Sequence, residues 1–254
     1  MLRTWWMSLL VVGLAAGEAR AGLDLTWQAC PANGGTSNIN VDCCSNGYYD
    51  LVGTFQVPEP HDCLVEIVAV LDLQVEGSTV LTPFWRFETG GCNSGGVVAS
   101  SEPDELQGGC SVPSPWDSST TNAVFLGQST RGTNIARFIV VVYGRPFFTV
   151  DSLGAGQTYY AFHFRFRTSN ATESGGACLG CRDRVAIVWN WCELMALLPG
   201  DAERCRESIF GTNRIISSPG LVSNCATWND ASSATCASTP VRNLTWGKLK
   251  TLYR

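Results

Sequence analysis

The stretch Tyr160-Ala161-Phe162-His163-Phe164-Arg165-Phe166-Arg167 decides the fold class. Its apolar and polar residues alternate with a period of two, and side chains alternate across a β-strand. Phe162, Phe164 and Phe166 therefore share one face, and His163, Arg165 and Arg167 share the other. This pattern predicts a half-buried strand, with the phenylalanines on a core and the cationic residues in water. Residues 184–194 repeat the period. Val185, Ile187, Trp189 and Trp191 fall on one face there, and Ala186, Val188, Asn190 and Cys192 on the other.

Outward from these two segments the chain keeps the same character. Residues 48–57 and 64–75 are rich in Val, Ile, Leu and aromatic residues and are bounded by Gly, Pro, Asn and Asp, as strands are. Residues 83–88 read as a short aromatic strand. Phe138 to Tyr143 is a continuous apolar run, which fits a strand covered on both sides. Helical signal is confined to residues 201–209, with Asp201 as N-cap, and to residues 245–254. The expectation is an all-β protein: an antiparallel β-sandwich, jelly-roll-like and disulfide-stabilised, with minor short helices.

The N-terminus reads as a secretory signal. Arg3 precedes an apolar stretch from Trp5 to Ala16, and Ala19-Arg20-Ala21 is a small-x-small cleavage site. The division expected is a signal peptide over 1–21, a β-sandwich domain over 22–239 and a basic tail over 240–254. The tail carries Arg242, Lys248, Lys250 and Arg254 with no acidic residue, whereas residues 22–239 hold 11 basic and 21 acidic residues. The net charge of the mature chain is negative, which argues against a general nucleic-acid binder.

All twelve cysteines fall after the signal segment, and an even count in an exported chain points to disulfides. Local spacing suggests pairing Cys30 with Cys43, Cys44 with Cys63, Cys92 with Cys110, Cys192 with Cys205 and Cys225 with Cys236. The Cys178-Leu179-Gly180-Cys181 motif sits between glycines and a strand. A thioredoxin-type redox motif opens a helix instead, and a zinc site needs two more ligands. A tight disulfide within this turn is the reading.

Catalytic signals are sparse. There is no G-x-S-x-G, and His61 and His163 are the only histidines. Both read as surface residues. Glu66 and Asp72 share a strand face about 20 Å apart, too far for a carboxylate pair. The acidic segment Ser101-Glu102-Pro103-Asp104-Glu105 could serve a loop calcium site but reads by default as solvated. No cofactor or metal is expected.

Binding signals are aromatic. A tryptophan face suits the apolar side of a sugar ring. Trp116 and Trp228 are the exposed candidates, and Trp189 with Trp191 could form a platform if their face is not core. Within the tail, Trp246, Lys248, Leu249, Leu252 and Tyr253 form a docking stripe.

The ending Thr245-Trp246-Gly247-Lys248-Leu249-Lys250-Thr251-Leu252-Tyr253-Arg254 resembles the T-W-G-x-x-K-x-L-Y-R terminus of an uncharacterised secreted bacterial protein family. Leu25-Thr26-Trp27-Gln28-Ala29-Cys30 and the Gly176-Ala177-Cys178-Leu179-Gly180-Cys181 turn are similar to further motifs of that family, while Cys44 and Cys63 are additions to it. The resemblance implies a bacterial source, which makes the N-x-T matches at Asn170 and Asn243 coincidental. It transfers no catalytic residue.

The expected function is a secreted, non-catalytic extracellular binding module for a glycan or cell-surface polymer. The alternative is a structural or adhesive surface subunit that self-associates or is sorted through residues 240–254. A β-sandwich hydrolase is the remaining reading.

Overall fold

Phe162 on one sheet and Trp189 on the other meet edge to face across the interior, with ring centroids 5.0 Å apart. In the computed structural model, which describes residues 22–116, 121–144, 152–197, 212–216, 220, 222–232 and 236, they belong to two stacked sheets. The smaller sheet has four strands in the order β1 (Gly22–Trp27), β3 (Tyr48–Gln56), β8 (Thr158–Arg167) and β5 (Val97–Ser100), all antiparallel. The larger runs β2 (Asn38–Ile39), β11 (Cys225–Trp228), β9 (Val185–Leu197), β4 (Asp62–Val75), β7 (Ile135–Tyr143) and β6 (Asn122–Thr130). Its seventh strand, β10 (Thr212–Ile216), also pairs with β9. Among the named strands of the described residues, the β2–β11 pairing alone is parallel. The all-β sandwich expected from the alternation is the architecture found.

The core between the sheets is aromatic. Phe162, Phe164 and Phe166 are fully buried, as their alternation predicts. Trp27, Trp85 and Trp228 form an edge-to-face cluster with Phe84, Phe87 and Phe166 around it. A buried indole N–H needs an acceptor. Trp27 Nε1 donates to the Thr227 carbonyl at 2.9 Å, Trp85 Nε1 to Gly180 at 3.0 Å and Trp228 Nε1 to Cys181 at 2.8 Å. Gly53 leaves room for this packing: a Cβ there would lie 2.8 Å from the Phe162 ring and 3.0 Å from the Trp189 ring.

Residues 83–88 are not a strand. Pro83–Trp85 forms a 3₁₀ turn that drops Phe84 and Trp85 into the core. The proline sets the helical φ and has no N–H to place in a ladder.

Most cysteine pairings differ from those expected from spacing. Cys30 bonds Cys110, Cys43 bonds Cys181, Cys92 bonds Cys178, and Cys225 bonds Cys236, the last as expected. Cys178 and Cys181 thus have separate partners, and the turn between them joins two distant loops. Gly180, at φ 109°, makes the turn, and the Gly180 and Cys181 carbonyls face the indoles of Trp85 and Trp228. Cys44 is an exposed free thiol and Cys192 a buried one, so neither the Cys44–Cys63 nor the Cys192–Cys205 pairing holds. Of these four bonds between described cysteines, three close loops of 80 to 138 residues, so local spacing held no signal for them. Among the described residues no helix is long and apolar enough to cross a membrane.

The expected signal segment, the helix at 201–209 and the tail stripe of Trp246, Lys248, Leu249, Leu252 and Tyr253 lie outside the described residues.

Candidate functional site

Strict alternation would place Tyr160 with the phenylalanines. A β-bulge intervenes: Gly53 pairs with Phe162 but Thr54 pairs with Tyr160, leaving Ala161 as the extra residue. Tyr159 turns into the core against Phe55, and Tyr160 moves to the outer face of the small sheet. There its hydroxyl lies 2.9 Å from His163 Nδ1 and 3.2 Å from the Ser100 carbonyl.

The loop after β5 folds over this face. Tyr160 N–H donates to the Pro113 carbonyl at 3.0 Å, and Trp116 Nε1 donates to the Ala161 carbonyl at 2.7 Å. Cys110 fastens the loop to Cys30 at the end of β1. Leu106, at the close of the 3₁₀ turn Pro103–Glu105, is buried.

Beneath the loop lies a charged network. Arg165 holds Asp50 through two bonds, Nε to Oδ1 at 2.8 Å and Nη2 to Oδ2 at 3.1 Å. The same Nη2 donates to the Glu105 carbonyl at 2.9 Å, which ties the loop to the sheet. His163 Nε2 stands 3.7 Å from a Glu105 carboxylate oxygen and 4.0 Å from Asp50 Oδ1, beyond hydrogen-bond range of either. Burial pushes the His163 pKa down from 6.5 and outweighs the two carboxylates; the Arg165 charge lowers it further. The Tyr160 hydroxyl is pushed well above its usual range, by burial first and then by Glu102, Glu105 and Asp50. The bond to Asp50 holds the proton on Arg165 more firmly.

His163 is therefore a buried member of this network and not a solvated residue beside two arginines. Alternation assigns a side chain to a face, but only the covering loop decides whether that face is wet. His61 is buried as well; its backbone exchanges hydrogen bonds with Leu153.

The four tryptophans proposed for ligand binding are all buried. Trp116 is 7% exposed because its indole anchors the loop to the bulge. Trp228 lies in the aromatic core, and Trp189 packs on Phe162. Trp191 does not share the Trp189 face. A second bulge pairs Val70 with Trp191 and Leu71 with Trp189, so Asn190 is the extra residue and the parity inverts after it. Among the described residues no group of three or more His, Cys, Asp or Glu side chains is placed to hold a metal ion.

An exposed aromatic that went unremarked in the sequence borders the network. Tyr48, at the start of β3, is 41% exposed, and the Arg165 guanidinium carbon lies 4.5 Å from its ring centroid. Arg167 pairs directly opposite it, and Val98, 43% exposed, pairs with Arg165 on the neighbouring strand. Tyr48, Val98, Arg165 and Arg167 thus share the open end of the outer face, with Glu105 at its rim. The signal was the parity of Tyr48 relative to Asp50, which is readable only once the β3–β8 register is known.

No family model matches this chain, and no curated protein does. Among solved structures, a cohesin module from Clostridium perfringens ATCC13124 family 33 glycoside hydrolase is similar over 82% of this chain and 96% of its own length, at 6% identity and a TM-score of 0.34.

Proposed function

We propose that this chain is a secreted, non-catalytic binding module, and that it takes a glycan or other cell-surface polymer at the open end of the small sheet. The observation that carries the reading is the Tyr48–Arg165 stack beside Val98, Arg167 and Glu105. An aromatic ring offers a surface for the apolar side of a pyranose. The neighbouring arginines and the carboxylate supply hydrogen-bond donors and acceptors for its hydroxyls. Arg165 is held by Asp50 and by the loop, and the loop is held by the Cys30–Cys110 bond, so the patch is ordered before any ligand arrives and binding costs less entropy. The groups that acid–base chemistry would use, His163 and Tyr160, are buried beneath the loop, with His163 Nε2 3.7 Å from the Glu105 carboxylate at the rim of the patch.

The test is binding of the oxidised mature chain to a broad glycan and polysaccharide panel. A saturable interaction weakened at least tenfold by Tyr48→Ala, with the fold intact by circular dichroism, is the expected result. A blank across the panel, or binding indifferent to Tyr48→Ala and Arg167→Ala, sinks this site and favours the structural or adhesive subunit.

A further inference from the structure

One ring nitrogen of His163 is sealed away with nothing to bond. The side chain is fully buried, and Nε2 has no hydrogen-bond partner among the described residues. The titratable and charged groups that face the ring come from three elements. Asp50 stands on β3, Tyr160 and Arg165 on β8, and Glu105 on the loop after β5. Glu102 of the same loop acts on Tyr160, the partner of Nδ1. From β5, Ser100 pairs with His163 and offers its carbonyl to the Tyr160 hydroxyl. Both carboxylates stop short of Nε2, at 3.7 and 4.0 Å, and Asp50 is already held by Arg165. A second proton on this imidazole would leave a charge out of water, with an Nε2–H that reaches no acceptor.

We propose that residues 101–107 are a proton-operated flap: uptake of a proton by His163 favours a state in which the flap has lifted from the outer face of the small sheet. The segment has firm ends and a lightly held middle. Before it, Ser100 lies in the ladder with β8. After it, the Gly108 N–H donates to the Gln28 carbonyl, the Cys30 N–H donates to the Gly109 carbonyl, and Cys110 is bonded to Cys30. Between these ends the 3₁₀ turn Pro103–Glu105 buries none of its residues. The buried Leu106 side chain and the Arg165 bond to the Glu105 carbonyl tie the middle down. Lifting it breaks no strand pairing and no disulfide.

Linkage sets the direction. In the closed form burial lowers the proton affinity of His163 and outweighs Asp50 and Glu105. With the flap open the ring meets water and returns toward the ordinary histidine pKa of 6.5. The open form therefore binds the proton more tightly, and acidification shifts the population toward it. A ring that titrates at 6.5 only when open gains at most about 30-fold in favour of opening at pH 5. The flap shares Arg165 with the candidate site. Opening takes the Glu105 carbonyl away from the guanidinium that stacks on Tyr48, so the same proton rearranges the outer patch.

The test is hydrogen exchange of the oxidised mature chain at pH 7 and pH 5, with rates corrected for the intrinsic pH dependence of amide exchange. Protection of residues 101–109 should fall about tenfold at the lower pH, while residues 51–55 of the small sheet keep theirs. His163→Phe leaves His61 in place and should flatten the difference. Protection that is unchanged or rises at pH 5 overturns the flap. An equal fall at residues 51–55 overturns it too, because the whole sheet would then be loosening. A pH effect that survives in His163→Phe assigns the titration to another group and has the same consequence. Should His163→Phe prevent folding, the His163 imidazole resonances of the parent chain are followed by NMR over the same range. Ring protonation that tracks the loss of flap protection supports the proposal, and a ring protonated beneath an intact flap overturns it.

Discussion

Each sheet carries an aspartate–arginine pair on its outer face, and the two pairs live in different surroundings. Asp50–Arg165 lies at the margin of a folded loop. Its guanidinium is partly in water, stacks on an exposed tyrosine and donates to a loop carbonyl. Asp72–Arg137 is sealed among valines, isoleucine and tryptophan and has Asn190 as its further partner. One chemical pair thus serves two purposes. On the small sheet it fastens a loop and shapes a surface. On the large sheet it sits where only a well-fitted cover makes the loss of water tolerable.

The largest expected effect breaks the sealed pair. Arg137→Ala leaves Asp72 buried without its partner and should cost about 3–5 kcal/mol in urea unfolding. Arg137→Met combined with Asp72→Leu should recover most of that loss. Arg165→Ala removes charge-assisted bonds next to solvent and should cost less, about 1.5–3 kcal/mol. Equal losses at the two arginines would erase the distinction between the faces.

A subtler difference is in pH dependence. The folded-state pKa of His163 is depressed, so the native protein binds its proton less readily than the unfolded chain does. The stability tied to neutral His163 is full above about pH 6.5 and declines as pH falls through its lower folded pKa. Glu66 has the opposite sign: its folded pKa is raised, so its contribution declines as pH rises through that value. Stability of the parent chain minus that of His163→Phe should therefore shrink between pH 7 and 5. A difference independent of pH would mean that His163 is not held neutral by its burial. The smallest effect is expected at Tyr48→Ala, within about 0.5 kcal/mol of the parent in stability. Its consequence should be confined to ligand binding, and a large loss of stability there would place Tyr48 in the framework of the fold.

Much of the sandwich was legible because period-two patterning survives without context. The Phe162, Phe164 and Phe166 face and the Val185, Ile187 and Trp189 face needed no partner strand to be recognised. Legibility ended at the two bulges. Nothing in Tyr160-Ala161-Phe162 or Trp189-Asn190-Trp191 announces an extra residue, because a bulge is a mismatch with a partner strand. Each bulge built what lies on its outer face: one brought Tyr160 to His163, and the other brought Asn190 to Asp72 and parted Trp191 from Trp189. The candidate site was less legible than the fold. The proposed tryptophans proved to be anchors and core, and Tyr48 went unremarked because aromatic residues at a strand start are as common in cores as on surfaces.

By itself the sequence determined the fold class, the faces of its regular strands and the dependence on disulfides. Those follow from alternation, composition and the even number of cysteines, which are properties of the chain read locally. Only the tertiary structure decided which cysteines pair, which outer faces are dry and which aromatic stays in the open. Those depend on groups 80 to 138 residues apart meeting, and on loops that cover one face and leave another bare.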